Sequence, residues 1–321
     1  MSKIRVGVVR GGPSSEYAVS LNTGGHVLRN LDQEKYAPLD ILLTTRGEWY
    51  MRGVRTDLAE IADNVDVIWN ALHGYYGEDG KLQQSLEAFG IKYTGSAPLA
   101  SAIGMNKELA KERFREAGML TPKGATIAEA SDPESAAFEI VRDMRLPLIV
   151  KPLLGGSSIA IKIVRNFDEL AGAIATAKKH GDVLVEEYLE GKEATVCVLD
   201  AGTPNEHIVM YPIEIVPPET APFFDFESKY DPLTQEICPG RFTLKNHTDL
   251  RDLATLAHQS VGARHYSRSD FIVTPKGIYI LEINTLPGLT AESLIPRSLH
   301  KNGVTFPEFL DHVIGLAMAG K

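Results

Sequence analysis

The chain has 321 residues, of which 44% are hydrophobic and 23% charged, and its formal net charge at pH 7 is -9. That length predicts two or three domains with ample material for a core. The acidic balance argues against non-specific binding to nucleic acid or to anionic membranes, because both attract an excess of positive charge. Since no apolar run has the length of a membrane span and the N-terminus enters a strand without a signal peptide, we expect a cytoplasmic protein.

Residues 1–104 alternate between strand-like and helix-like segments. Apolar runs at 3–9, 38–45 and 65–72 predict strands, and amphipathic stretches at 19–31 and 82–90 predict helices. This alternation is typical of an α/β domain with an open, mainly parallel sheet that is covered by helices.

Two glycine-rich loops follow predicted strands of this domain, VVRGGPSSEYAVS near the N-terminus and LHGYYGEDG at 72–80. Turns at the carboxyl ends of parallel strands are where α/β sheets bind ligands. At such an edge Glu16 would meet a cationic group, and His73 could donate a hydrogen bond to a carboxylate. The alternative for His73 is a purely structural role, which is the commoner one for a lone histidine.

Residues 105–185 predict a small α+β lobe. Its first helix, at 105–119, should stop at Gly118, because glycine readily adopts the left-handed conformation that ends helices. Two more helices should begin with capping boxes, in which a polar residue pairs with an acid three positions later. The capping boxes are Ser131 with Glu134 and Asn166 with Glu169, and strands are predicted at 146–152 and 160–164.

A glycine and serine loop, GGSS, separates the two predicted strands of this lobe and follows Lys151. Such a loop offers backbone N–H groups and hydroxyls to a phosphate, and the lysine supplies compensating charge. It is not a Walker A loop, since G-x-x-x-x-G-K-[ST] is absent. The alternative interpretation is an ordinary hairpin connection.

Acidic residues cluster at the end of the next predicted strand, in VLVEEYLEGKEATV. Carboxylates and edge backbone in this position could bind the amino group of an adenine and the hydroxyls of a ribose. The alternative is a solvated acidic turn. The acids are Glu186, Glu187, Glu190 and Glu193.

The remainder of the chain, 186–321, favours β-structure followed by helices. A loop at 217–240 is rich in Pro, Phe and charge, and a loop of that length in a compact domain is usually functional. Cys197 and Cys238, the two cysteines, form no zinc motif and are expected to be structural thiols. Strands are predicted at 183–189, 194–200 and 211–216, and helices at 248–263, 291–301 and 305–318.

The stretch SDFIVTPKGIYILEIN predicts a hairpin whose three-residue turn is Pro275–Lys276–Gly277. Pairing Thr274 with Ile278 would place Asp270 opposite Glu282, and Asn284 would lie on the same face as Glu282.

Two carboxylates and one amide on the same face form the all-oxygen ligand set that Mg²⁺ prefers. The alternative is a hairpin face whose acidic residues point to solvent.

Taken in order, these motifs resemble those of D-alanine D-alanine ligases of the ATP-grasp superfamily, and the resemblance runs nearly end to end. It implies an ATP-grasp fold preceded by the open α/β sheet domain. Residues 1–104 would bind the first substrate, 105–185 would form the small ATP-grasp lobe, and 186–321 the C-terminal lobe. The motifs are GGPSSEYAVSL, LHGYYGEDG, GSAPLASAIGMNK, VKPLLGGSS, LVEEYLEGKEATV, FFDFESKY, SRSDF and LEINTLPGLTAESL.

The resemblance also implies ligands and site residues. ATP would be bound with two Mg²⁺, for which Mn²⁺ could substitute, and a homodimer is the expected assembly. Lys229 would lie near the transferred phosphate, and Asp270, Glu282 and Asn284 would hold the metal ions. The other nucleotide-pocket residues would be Lys107, Lys151, Glu186, Tyr188, Leu189 and Glu193.

For the amino-acid substrates, the resemblance assigns the ammonium of the first D-alanine to Glu16 and its carboxylate to His73. Ser157 and Tyr230 would join Glu16 in a hydrogen-bonded triad. Arg268 would stabilise an oxyanion. The carboxylate of the second D-alanine would be received by Ser293 and Leu294.

The implied reaction is ATP-dependent ligation of two D-alanine molecules through an acyl phosphate, for peptidoglycan precursor synthesis. The loop at 217–240 is the expected lid, because an acyl phosphate must be kept from water. The alternatives are a ligase that uses D-lactate or D-serine as second substrate, another ATP-grasp carboxylate ligase, and a catalytically silent ATP-binding regulator.

Overall fold

Three β-sheets with packed helices form the part of the chain that the computed structural model describes, residues 3–155, 160–203, 205–218 and 234–320. The mixed α/β and α+β architecture expected from the sequence is confirmed. Within the described residues, no helix is both long and apolar enough to cross a membrane.

The first sheet has five strands in the order β4-β3-β2-β1-β5. Three of them, β2, β1 and β5, run parallel to one another. The middle of β1, residues 6–9, and all of β5 are buried and mostly apolar, as expected for strands covered on both faces. β3 and β4, which were not predicted from the sequence, extend one edge as an antiparallel hairpin. The strands are β1 (Ile4–Gly11), β2 (Tyr36–Leu43), β3 (Trp49–Met51), β4 (Val54–Thr56) and β5 (Val67–Asn70), and the helices are α1 (Tyr17–Asn30), α2 (Leu58–Asn64), α3 (Lys81–Ala88) and α4 (Pro98–Met105).

The second sheet is fully antiparallel, with the order β6-β9-β7-β8, and α6 and α7 pack on it. The helix before it, α5, instead contributes Phe114 to the core of the third sheet. It ends at Glu116, and Gly118 just after it has the predicted left-handed conformation, with φ of 83°. The elements are α5 (Lys107–Glu116), β6 (Gly124–Ile127), α6 (Pro133–Asp143), β7 (Leu148–Pro152), β8 (Lys162–Val164), α7 (Phe167–Ala177) and β9 (Val183–Glu187).

Neither predicted capping box forms. Asp132, and not Ser131, caps α6, because its carboxylate accepts the backbone N–H of Ser135 at 2.8 Å. Asn166 does precede α7, but its side chain donates to the carboxylate of Glu169 at 3.2 Å instead of capping the backbone.

The third sheet has the order β13-β12-β10-β14-β15, with β11 paired to β10. α8 packs on one face of this sheet, together with Phe114 of α5. Both cysteines are free thiols, as expected. The elements are β10 (Lys192–Asp200), β11 (His207–Val209), β12 (Ile213–Val216), β13 (Gln235–Ile237), α8 (Leu244–Ser260), β14 (Tyr266–Thr274), β15 (Gly277–Asn284), α9 (Leu294–Lys301) and α10 (Phe306–Ala319).

The β14–β15 hairpin forms, but its turn differs from the prediction. Thr274 pairs with Gly277 and not with Ile278, so the loop has two residues instead of three. A β-bulge beside Asp270 then adds Leu281 to β15 and shifts the register by one residue. Asp270 therefore faces Glu282 as predicted, because the bulge compensates for the shorter turn.

Aromatic packing joins the first sheet to the end of the chain. Trp69 of β5 lies 6.4 Å from Tyr266 of β14 and 6.1 Å from Phe309 of α10, between ring centroids. All three side chains are buried in one core. This core holds the carboxyl end of the first sheet beside the start of β14.

Candidate active site

A cavity of about 670 Å³ opens between the first sheet, the β14–β15 hairpin and the start of α9. Every described residue that the sequence assigned to the amino-acid substrates lines it, although these residues are spread over almost the whole chain. They are Glu16, His73, Arg268, Ser293 and Leu294.

Glu16 reaches this cavity because two loops of the first sheet are tied together. The Ser14 hydroxyl donates to the backbone carbonyl of His73 and accepts the backbone N–H of Glu16. Gly74 adopts a φ of 68°, and a Cβ on it would lie 3.2 Å from Ser14 Cβ. Glycine at this position thus suits both the left-handed backbone and the close approach of Ser14.

His73 is buried, and both of its ring nitrogens have neighbours. Nε2 lies 2.8 Å from Thr23 Oγ1, and Nδ1 lies 3.4 Å from the carboxylate of Glu78. Glu78 is itself buried, accepts the backbone N–H of Gly74 at 2.9 Å and lines the cavity. We did not predict Glu78, although its position in the LHGYYGEDG loop is a signal that could have revealed it.

Arg268 presents a fixed positive charge to the same cavity. Its Nε and Nη2 atoms donate to the two carboxylate oxygens of Asp270 at 3.0 and 2.8 Å. Burial opposes the charged form, but Asp270 keeps the pKa of Arg268 above its ordinary value. A two-point contact of this kind fixes the orientation of the guanidinium as well as its charge.

Asp270, Glu282 and Asn284 lie on one face of the β14–β15 hairpin, with Asp270 directly opposite Glu282. Glu282 and Asn284 line a small recess with Lys107, whose Nζ is 3.9 Å from Glu282 Oε2. Asn284 Oδ1 accepts the backbone N–H of Leu286 at 2.8 Å and keeps a second lone pair. Carboxylate and amide oxygens gathered beside a lysine fit a hard cation that also contacts phosphate.

A second cavity, of about 260 Å³, lies between the second and third sheets. It has apolar walls from Ile149, Ile272 and the bulge residue Leu281, and a polar rim. That combination suits a flat heterocycle with polar edges. The predicted nucleotide residues that line it are Lys151, Glu186, Tyr188, Leu189 and Glu193, while Lys107 lies in the recess with Glu282.

Glu186 is the centre of a buried ion network at the base of this cavity. Its carboxylate accepts from Lys151 at 2.7 Å and from Lys111, and all three side chains are at most 8% exposed. Burial lowers the pKa of Lys151 to about 8 and that of Lys111 well below its ordinary value. Lys111 was not predicted; it lies four residues after Lys107, on the same face of α5.

The recess is closed on one side by α5. Lys107 Nζ donates to the carbonyl oxygen of Gly155, at the start of the glycine and serine loop. Ser157, Lys229 and Tyr230 lie outside the described residues, as does most of the expected lid, 219–233. The described end of that predicted loop is not irregular, since Gln235–Ile237 form β13.

Two family models match the chain. The model described as D-ala D-ala ligase C-terminus matches residues 114–315, and the model described as D-ala D-ala ligase N-terminus matches 5–63 and 51–96. The D-alanine–D-alanine ligase of Syntrophobacter fumaroxidans is 39% identical over an alignment of 321 positions that covers 98% of each chain. That of Desulfotalea psychrophila is 38% identical, with 98% of this chain and 95% of the relative covered.

Solved structures agree with these sequence matches. The D-alanine–D-alanine ligase of Bacillus anthracis complexed with ATP superposes with a TM-score of 0.83 and 32% identity, covering 99% of this chain and 98% of that one. The VanG D-Ala:D-Ser ligase of Enterococcus faecalis gives 0.85 and 31%, with 98% and 100% covered. The fold is thus the ATP-grasp fold with an N-terminal domain. On its sequence, its fold and the residues gathered at its two cavities, this chain belongs to the D-alanine–D-alanine ligase family.

Proposed function

We propose that this protein joins two D-alanine molecules to D-alanyl-D-alanine, converting ATP to ADP and phosphate, as a step in peptidoglycan precursor synthesis. The observation that carries the proposal is the meeting of two differently lined cavities at the β14–β15 hairpin. One cavity combines Glu16, His73 and Arg268, and the other has the apolar walls and polar rim that suit a nucleobase.

In the first step, the carboxylate of one D-alanine attacks the γ-phosphate of ATP, and ADP leaves. Lys107 and Lys151 are proposed to balance the phosphate charge, as lysines do in other phosphoryl transfers. Asp270, Glu282 and Asn284 would hold two Mg²⁺, or Mn²⁺, which when bound neutralise charge on the phosphates. Lys229 belongs to the same proposal through the family resemblance.

The first D-alanine is oriented by its two charged groups. Its ammonium is placed against the Glu16 carboxylate, and its carboxylate against His73. The hydrogen bond to Thr23 and the contact with Glu78 hold the His73 ring in one orientation. Ser157 and Tyr230 are proposed to complete the contacts of Glu16.

In the second step, the amine of the other D-alanine attacks the acyl phosphate carbon, and phosphate leaves. Negative charge collects on the former carbonyl oxygen, and Arg268 is proposed to stabilise it. Because Asp270 already fixes the guanidinium, little reorganisation is needed as that charge develops. Ser293 and Leu294, at the start of α9, are proposed to receive the second carboxylate.

Different parts of the chain are proposed to have different roles in this reaction. Residues 1–104 are proposed to contribute the first-substrate side, and the loop at 217–240 to act as the lid. Residues 105–185 and 186–321 are proposed as the two ATP-grasp lobes, and β9, which pairs with β6 and β7 of the small lobe, ends at Glu187, close to that division. The cytoplasmic location and the homodimer expected from the sequence are part of this proposal, and sedimentation of the purified protein tests the dimer.

D-serine is the second candidate acceptor, because a D-Ala:D-Ser ligase is among the structures that superpose well on this chain. Phosphate release measured with Mg-ATP and D-alanine, alone or paired with D-serine or D-lactate, distinguishes the acceptors, and the dipeptide products are identified by mass spectrometry. Release with D-alanine alone is expected. No release with any of these substrates would contradict the proposed function. If a product formed only when D-serine was present, D-serine and not D-alanine would be the second substrate.

A further inference from the structure

One carboxylate and two imidazoles meet at the end of β10 that is remote from the nucleotide cavity. Asp200 ends β10, His207 begins β11, and His258 lies in the last turn of α8. The three side chains are 21%, 9% and 1% exposed, so the cluster is largely enclosed but open to solvent at Asp200. None of the three residues lines the two cavities of the candidate active site.

The distances in this cluster suit a metal ion. His207 Nδ1 and His258 Nε2 each lie 3.1 Å from Asp200 Oδ1, and the three ligating atoms all lie within 4.8 Å of one another. A tetrahedral ion with bonds of about 2.0–2.1 Å places its ligand atoms roughly 3.3 Å apart. The two distances from Asp200 are thus within a few tenths of an ångström of that spacing, and the two imidazole nitrogens, within 4.8 Å of each other, are close enough to share one ion.

The ring nitrogens of the two histidines that face away from Asp200 also have hydrogen-bond partners, as they do in metal-binding histidines. His258 Nδ1 lies 2.7 Å from Ser267 Oγ, and His207 Nε2 lies 3.0 Å from the side-chain amide of Gln259. Turning that amide over presents its oxygen to the ring N–H. Partners of this kind fix the tautomer and the orientation of metal-binding histidines.

We propose that Asp200, His207 and His258 bind a divalent transition-metal ion of the zinc class, with water completing the coordination. Two imidazoles with one carboxylate favour such an ion over Mg²⁺, which prefers oxygen ligands. The ion would cross-link β10, β11 and α8. Because Asp200 also accepts the backbone N–H of His265, it would fix the start of β14, the strand that carries Arg268.

Without an ion, the same atoms can form a network in which both rings donate to Asp200, so the experiment must separate the two states. The full chain is stripped with a chelator and titrated with ZnCl₂ in a calorimeter, with excess Mg²⁺ present to occupy oxygen-only sites. A parallel titration with CoCl₂ follows the visible absorption of four-coordinate Co²⁺. We expect one Zn²⁺ per chain, the Co²⁺ absorption, and a higher thermal unfolding midpoint with Zn²⁺.

Three variants assign the site. His207→Gln should abolish the Zn²⁺ binding and the midpoint shift, and His180→Gln, at an exposed histidine elsewhere, should leave both unchanged. Gln259→Ala removes an exposed side chain that contacts Nε2 of His207, the ring atom that faces away from Asp200, and it should weaken Zn²⁺ binding by about 10-fold to 100-fold. Equal Zn²⁺ binding by the parent and His207→Gln, or no Co²⁺ absorption in the parent, would overturn the proposal.

Discussion

Replacing Glu186 by glutamine removes the negative charge that two buried ammonium groups share, while the shape of the side chain is kept. Lys111 and Lys151 both contact this carboxylate, and the three side chains are between 2% and 8% exposed. Removing one partner of a buried ion pair costs about 3–5 kcal/mol, because the remaining charge is left uncompensated. We expect the free energy of unfolding to fall by that amount at pH 7.

The variant can also respond by losing a proton from one of the two lysines, and the cost of that loss gives a second estimate of the fall in the free energy of unfolding. Burial already lowers the pKa of both lysines in the folded protein, that of Lys151 to about 8. In the unfolded chain a lysine keeps its proton up to a pKa of about 10.4, so folding with one neutral lysine at pH 7 costs about 5 kcal/mol. The cost of an uncompensated charge and the cost of a neutral lysine are thus similar. The folded variant takes whichever state costs less, so the smaller of the two values sets the loss of stability.

The pH dependence of the loss follows from the same lysines. In the variant they bind fewer protons when folded than when unfolded, so the free energy of unfolding rises with pH, by up to about 1.4 kcal/mol per pH unit for each lysine that titrates. In the parent, Glu186 favours the charged lysines and the rise is smaller. The deficit of the variant should therefore shrink between pH 7 and pH 9.

Urea unfolding followed by far-UV circular dichroism at pH 7, 8 and 9 measures this deficit by linear extrapolation. Glu190→Gln is the matched control, since Glu190 is a nearby exposed acid, and it should change stability by no more than about 0.5 kcal/mol. A loss below about 1 kcal/mol for Glu186→Gln, or a deficit that grows with pH, would refute the reasoning.

Three other predictions follow from the site and the third sheet. Glu282→Gln should lower kcat for phosphate release about 100-fold or more, equivalent to about 2.7 kcal/mol of barrier, and an unchanged kcat over a Mg²⁺ titration would contradict the metal assignment. Arg268→Lys keeps the charge but loses the two-point contact with Asp270, so kcat should fall about 100-fold to 1000-fold with little change in the KM for ATP, as steady-state kinetics would show. Burial alone would raise the pKa of Glu214, but hydrogen bonds from Arg241 and Lys192 lower it from 4.5 to about 2. The unscreened shift corresponds to about 3 kcal/mol, and since both cations are more than half exposed, we expect about 1–2 kcal/mol of stability that is present above pH 4.5 and is lost as the pH falls towards 2. Glu214→Gln should therefore cost about that much in urea unfolding at pH 7 and clearly less at pH 3, and an equal cost at both pH values would contradict this account.

Local sequence signals were sufficient for much of the fold. Apolar runs predict β1, β2 and β5 of the first sheet, although not β3 and β4, and Gly118 adopts the left-handed conformation predicted for the end of α5. The capping boxes failed because several polar residues compete for one helix start. Asp132 lies beside Ser131 and is better placed to accept the N–H of Ser135.

In the β14–β15 hairpin, the predicted pairing of Asp270 with Glu282 is confirmed although the predicted turn is wrong, because two differences from the prediction cancel. A three-residue turn and a two-residue turn with a bulge both place Asp270 opposite Glu282. The bulge depends on pairing along the whole hairpin and on contacts around Leu281, which no short window of sequence contains.

By itself the sequence determined which side chains this protein has for its chemistry and the order in which they occur, because motif spacing and turn chemistry are local properties of the chain. Only the tertiary structure decided which of them meet. Lys111 joins Glu186, and Glu78 joins His73, through side-chain contacts set by packing. The C-terminal helix packs against the first sheet through Phe309 and Trp69 because burying both aromatic rings requires surfaces more than 200 residues apart to come together.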